Sequence, residues 1–156
     1  TTNVTNYVYG LDGLYVGDSP QSQLVLGGTI TPADGLKIQG LFNFYDRNFA
    51  DWSPGSREIG DDGVADRDQV WEAPDYSKLD LHAYYDLPGS FSAGSRDISI
   101  QAFLHVFNVL DAIYVQDAYD NSSYNAYNDD GYHDATSAEI FLGTPRYFNA
   151  GLTFRF

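Results

Sequence analysis

The stretch Pro145–Phe156, PRYFNAGLTFRF, alternates without a break from Phe148 to its last residue. Phe148, Ala150, Leu152, Phe154 and Phe156 fall on one side; Tyr147, Asn149, Gly151, Thr153 and Arg155 fall on the other. Successive side chains of a strand point to opposite faces, so this is one strand with an apolar face and a largely polar face. Two settings suit it. In a soluble sheet the apolar face meets a core and the polar face meets water. In an outer-membrane barrel the apolar face meets lipid and the polar face lines a lumen.

Four further segments repeat the pattern. Gln23–Thr31 places Leu24, Leu26, Gly28 and Ile30 together, and Pro32-Ala33-Asp34-Gly35 then reads as a tight turn. Leu36–Tyr45 returns with Leu36, Ile38, Phe42 and Phe44 on one face, so the pair reads as a hairpin. Tyr76–Pro88 sets Leu79, Leu81, Ala83, Tyr85 and Leu87 against Lys78, Asp80, His82, Tyr84 and Asp86. Ile98–Asn108 sets Ile98, Ile100, Ala102, Leu104 and Val106 against Ser99, Gln101, Phe103, His105 and Phe107. Thr1–Val16 is rich in β-formers but alternates poorly, and reads only partly as strand; Gly17-Asp18-Ser19-Pro20 is a turn signal.

The connections differ in kind. Residues 32–35 and 88–97 are short turns. Residues 46–75 hold nine acidic residues, three arginines, Trp52 and Trp71; residues 109–144 hold seven acidic residues, no Lys or Arg, and many Tyr and Asn. Segments this long without periodicity point to functional or mobile loops. A soluble sandwich does not require the short/long alternation, whereas an outer-membrane barrel has short periplasmic turns and long extracellular loops. Ten to twelve residues per strand at about 3.3 Å, tilted by roughly 40°, cover an apolar band of about 25 Å. Tyr45, Tyr76, Tyr147 and Phe156 stand near strand ends, where an aromatic girdle is expected. The sequence thus predicts an all-β fold of antiparallel transmembrane strands, with both long loops on the cell exterior.

Composition narrows the function. The formal net charge of −14 disfavours nucleic acid as a partner. There is no cysteine, hence no thiol nucleophile, thiolate metal site or disulfide framework. The chain also lacks methionine, even at position 1, so it is expected to begin inside a longer polypeptide or after a processing cut. No apolar run is long enough for a membrane helix, which leaves barrel strands open.

Three sets of residues can carry chemistry. Asp80 and His82 share a strand face, and His105 on the next strand can join them around a metal or ligand; the plainer reading is a polar lumen wall. The acidic groups Asp61-Asp62, Asp66, Asp68, Asp129-Asp130 and His133-Asp134 offer oxygen ligands to calcium, but none has the spacing of a calcium loop, and a solvated loop explains them as well. Trp52, Trp71, Tyr114, Tyr119, Tyr124, Tyr127 and Tyr132 can stack on sugars or flat ligands, or pack among themselves. From these, Trp52, Trp71, Tyr124, Tyr127, His82 and His105 are the expected ligand-facing residues. No nucleophile motif or phosphate-cradling loop occurs, so neither enzymatic activity, cofactor nor resident metal is expected.

Several pieces together resemble the C-terminal part of a TonB-dependent outer-membrane receptor, closest to the type found in Bacteroidetes. They are Tyr15–Gln21 (YVGDSPQ), Gly35-Leu36, Asp66–Trp71 (DRDQVW) leading into Tyr76–His82 (YSKLDLH), Phe107–Asp111 (FNVLD) with Tyr114–Ala118 (YVQDA), and Phe141–Asn149 (FLGTPRYFN) running to Phe156. The resemblance implies a 22-stranded barrel with an N-terminal plug that imports a large nutrient such as a siderophore, glycan, vitamin or peptide. This chain supplies five to six of those strands, fewer than the eight of the smallest barrels, so it is expected to be a fragment or one piece of an assembly. The implied partners are outer-membrane lipid, the remaining barrel and plug, TonB through the missing N-terminal part, the outer-membrane assembly machinery and a surface lipoprotein. Phe148, Leu152, Phe154 and Phe156 resemble the signal that the assembly machinery reads. The competing expectation is a soluble all-β ligand- or carbohydrate-binding module whose apolar faces form a core.

Overall fold

The computed structural model describes residues 6–57, 59, 63–89, 91–94, 96–122 and 133–156. The chain is all-β, and it divides into two units. One unit comprises Gln23–Tyr45, Tyr76–Ile113 and Thr144–Phe156; the other comprises Thr1–Ser22, Asp46–Asp75 and Tyr114–Gly143.

The first unit is a sheet of long strands: β1 (Ser22–Ala33), β2 (Leu36–Asp46), β5 (Tyr76–Asp86), β7 (Arg96–Phe107) and β10 (Tyr147–Arg155), in the order β1-β2-β5-β7-β10. The pairs β2/β5, β5/β7 and β7/β10 are antiparallel. The two-residue connection between β1 and β2 permits only the same arrangement. Gly35 takes φ +76° there, a left-handed conformation that glycine adopts without a Cβ penalty. Strand existence and order thus follow the alternating segments of the sequence. The sheet is open among the described residues: β1 and β10 lie at its two ends and do not pair with each other.

Two boundaries depart from expectation. β1 continues through Pro32, which was expected to end it. Because β1 is an edge strand, a proline there can turn its missing N–H away from the ladder at no cost in pairing. The turn expected at 88–97 holds a further strand, β6 (Phe91–Ala93), which pairs Phe91 with Ile98 and Ala93 with Arg96. Together with the Leu87 N–H donated to the Ile100 carbonyl, β6 prolongs the β5/β7 hairpin rather than closing it early.

Register makes the sheet two-sided. Leu36, Tyr85, Ala102 and Leu152 form one cross-strand row, Ile38, Ala83, Leu104 and Ala150 the next, and Gly40, Leu81, Val106 and Phe148 a third. No charged residue interrupts these rows. Gly27 faces the Leu41 side chain, so Leu24, Leu26 and Ile30 of β1 join the rows on the other face, the apolar one. The opposite face carries Lys37, Gln39 and Asn43 of β2, Lys78, Asp80 and His82 of β5, Gln101 and His105 of β7, and Asn149 and Arg155 of β10.

The second unit forms from the two segments expected as long functional or mobile loops, together with residues 6–22. Its ladders are β3 (Asn48–Phe49) with β4 (Glu72–Ala73), and β8 (Val115–Asp120) with β9 (Ala138–Leu142). A parallel bridge joins Asp51 to Tyr119. Phe49, Ala50, Val70 and Ala118 make a small buried core, against which Trp52, Trp71 and Val115 pack. Residues 6–16 contribute no named strand. They attach through the Gly10 N–H to the Arg57 carbonyl, the Tyr15 N–H to Gln69 Oε1, and Tyr15 stacked on Phe49 at 4.5 Å.

Gly17 lies so close to this core that a Cβ would overlap the backbone of Ala50 and Asp51. Gly17→Ala is therefore expected to destabilise the second unit by about 1–3 kcal/mol, as overpacking does. Gly28→Ala, which meets open space on β1, is expected to stay within about 0.5 kcal/mol. Both Trp residues belong to the second unit, so tryptophan fluorescence during urea denaturation reads its stability.

Candidate functional site

The polar face of the sheet brings two of the expected ligand residues into contact. His82 and His105 are direct cross-strand partners, and their Nδ1 atoms lie 2.7 Å apart. One ring donates and the other accepts, so each Nδ1 needs a different protonation. They sit in a row with Gln39 on β2 and Asn149 on β10. Aromatic rings surround the pair: Tyr84 and Phe103 lie 5.4 and 5.1 Å from His105, and Phe107 lies 5.4 Å from His82.

Asp80, the third expected member, has another task. Its Oδ1 accepts the backbone N–H of Asn108 at 2.8 Å. Asn108 is buried at φ +49°; its Nδ2 donates to the Ala112 and Thr144 carbonyls, and its Oδ1 accepts the Ala112 N–H. Asp111 then accepts from the Arg146 backbone and side chain. Sequence reasoning did not single out Asn108 as a linchpin. An asparagine just after an apolar strand, suited to left-handed φ, was the available signal.

The strand-end tyrosines lie at one end of the sheet, on its polar face. Tyr45 stacks on Tyr76 at 4.8 Å under the Lys78 ammonium, and Tyr147 stacks on Phe107 at 4.6 Å. Alternation dictates this, since all are odd or even partners of polar-face residues; a lipid-facing girdle position does not suit these three. At the other end, Gln101 donates to Asp86 at 2.7 Å and Arg155 donates to Gln101 at 3.1 Å. The residues expected as an assembly signal are exposed: Phe148, Leu152, Phe154 and Phe156.

In the second unit the expected aromatic ligand residues have structural contacts. Trp52 donates its indole N–H to the Tyr15 carbonyl and lies under the Arg57 guanidinium at 5.8 Å. Trp71 is partly buried against the core, and Tyr114 is buried. Tyr124, Tyr127 and Tyr132 lie outside the described residues, as do Asp61, Asp62, Asp129 and Asp130.

Of the acidic residues weighed as calcium ligands, Asp66 instead pairs with Arg57 and His133. Arg57 is fully buried, pairs with Asp66 at 3.2 Å and Asp120 at 4.0 Å, and donates to the Asp68 carbonyl. His133 presents Nδ1 to Asp120 and Nε2 to Asp66, both at 2.7 Å. Both nitrogens can donate at once only in the imidazolium form. Burial pushes the Asp66 carboxyl up, but the His133 bond, the Asp68 N–H and the Arg57 charge together hold it below 3.8. Asp134 is likewise held low, first by the Thr136 hydroxyl and then by the Thr136 N–H.

These groups differ in what their loss costs. Asp120 is almost wholly buried, whereas the Asp66 side chain is 45% exposed. Arg57→Met strips a buried carboxylate of one partner and is expected to cost the second unit about 3 kcal/mol. Asp66→Asn is expected to cost well under 1 kcal/mol, about the range of a solvent-screened pair. A depressed carboxyl adds stability above its unfolded value and loses it as pH falls through the folded one. Acid titration of the fluorescence midpoint below pH 3.8 should therefore fall less steeply in Asp66→Asn than in the parent chain.

The chain matches no protein-family model, no curated protein and no solved structure.

Proposed function

We propose that the chain is a wall segment of an outer-membrane β-barrel of the TonB-dependent receptor type, with a non-catalytic role in the uptake of a large nutrient. The observation that carries this reading is the uninterrupted apolar face of the five-stranded sheet. Five strands spaced about 4.8 Å apart, each some ten residues at 3.3 Å, make a face of roughly 800 Å². That exceeds the largest apolar patches of ordinary monomers, which run to about 300–600 Å². Its residues are open: Leu152 is 57% exposed and Ile30 62%. Hydrocarbon is the solvent that such a face suits, and strands of 11 or 12 residues in β1, β2, β5 and β7 have the length to cross it.

The polar face then lines the lumen, and the acidic, aromatic second unit is built from the long connections that face the exterior in this reading. TonB, the plug, the assembly machinery and a lipoprotein partner belong to the same proposal. The unpaired outer edges of β1 and β10 await further strands, since unsatisfied backbone groups cost several kcal/mol each in lipid.

Adjacent residues of β10 test the sidedness. Leu152→Arg puts a charge on the apolar face, at about 2–4 kcal/mol near the bilayer midplane, while Thr153→Arg puts it on the polar face at little cost. Expressed in a Gram-negative host within its native flanking sequence, the Leu152 variant is expected to be depleted from the outer-membrane fraction and the Thr153 variant retained. Equal membrane yield, or recovery of the parent chain as a soluble monomer, would instead favour the soluble binding module.

A further inference from the structure

We propose that His82 and His105 form a two-imidazole binding site for a tetragonal divalent transition-metal cation, with Cu²⁺ as the best fit and Ni²⁺ next. The inference needs only the pairing of β5 with β7 and stands independently of any membrane setting.

The geometry comes first. Two nitrogens bound in adjacent positions at 90°, each about 2.0–2.1 Å from the metal, lie about 2.9 Å apart; a tetrahedral angle would set them about 3.3 Å apart. The Nδ1 atoms of His82 and His105 are 2.7 Å apart. Their separation is close to that of two adjacent ligand nitrogens, and the Irving–Williams order for imidazole sites sets Cu²⁺ above Ni²⁺. Binding requires the rings to turn about their Cβ–Cγ bonds until both Nδ1 lone pairs point at the cation.

The chemistry is a replacement. In the metal-free pair a single proton is shared along the Nδ1–Nδ1 line. The cation takes its place: the donor ring gives up its Nδ1 proton to solvent and takes up a proton from solvent at Nε2, while the acceptor ring keeps the Nε2 proton it already holds. Both ligands are then neutral and the bound cation retains its charge. Water supplies the other equatorial positions, because Asp80 is engaged by Asn108.

Two further observations favour binding over a plain hydrogen bond. Tyr84, Phe103 and Phe107 crowd the two rings, which limits the rotamers that must be frozen on binding. The formal charge of −14 enriches cations near the chain. The third histidine, His133, offers no comparable site, since both of its ring nitrogens face carboxylates.

The test is a Cu²⁺ titration of the purified chain in millimolar Mg²⁺, which occupies carboxylates, followed by electron paramagnetic resonance. One Cu²⁺ per chain is expected, with hyperfine coupling to two equatorial imidazole nitrogens. His82→Gln and His105→Gln, with strand content checked by circular dichroism, are each expected to lose one coupling and at least about tenfold in affinity. His133→Gln is expected to bind like the parent. Parent-like affinity in either the His82 or the His105 variant overturns the proposal. So does a first equivalent of Cu²⁺ that shows fewer than two imidazole nitrogens in the parent chain, a reading that needs no variant to fold.

Discussion

Everything in the sheet depends on register. The side-chain period of a strand is two, so a slip of one residue moves every side chain to the other face. A slip of β5 against β2 would bring Lys78, Asp80 and His82 onto the face that now holds Leu36, Ile38 and Phe42. A slip of β10 against β7 would set Arg155 among Ile100 and Ala102. Burying an unpaired charge in an apolar surface costs far more than one ladder hydrogen bond returns. The strands are therefore locked by what the wrong alignment would juxtapose, as well as by the bonds the right one makes.

The second unit is held differently. Its apolar core is small, and its interior is instead organised by the buried polar groups of Arg57, Asp120 and His133. Arg57 remains imperfectly served, with Nε and one Nη lacking a hydrogen-bond partner among the described residues. Such a cluster adds little net stability compared with apolar packing, because desolvation offsets most of the attraction. What it does contribute is mutual dependence. Each of Arg57, Asp120 and His133 is acceptably buried only while the others are in place.

How legible this was in the sequence follows from the same contrast. Strand periodicity is a local signal, so five strands, their sidedness and the shared face of Asp80 and His82 are legible in the sequence alone. Cross-strand alignment added what periodicity cannot give, namely that His82 and His105 stand directly opposite each other. The second unit was unreadable for a different reason. Its contacts join distant segments, as Asp66 to His133, and its ladders β3/β4 and β8/β9 are too short to show a period. Asp66 looked like part of a solvated or calcium-binding loop because its partners, Arg57 and His133, gave no pattern of their own. Pro32 was misread as a strand stop because edge position is a property of the sheet and not of the dipeptide.

The spread of those contacts along the chain has a consequence for assembly. Tyr15 meets Gln69 across 54 residues, and His133 meets Asp66 across 67. Closing such loops in an open chain carries an entropic cost that no short ladder can repay early. Pairing β2 with β5 sets Tyr45 beside Tyr76 and so turns residues 46–75 into a loop whose ends already touch. Pairing β7 with β10 does the same for 108–146 through Phe107 and Tyr147. Strand pairing in the sheet thus lowers the loop-closure cost of the contacts that the second unit makes.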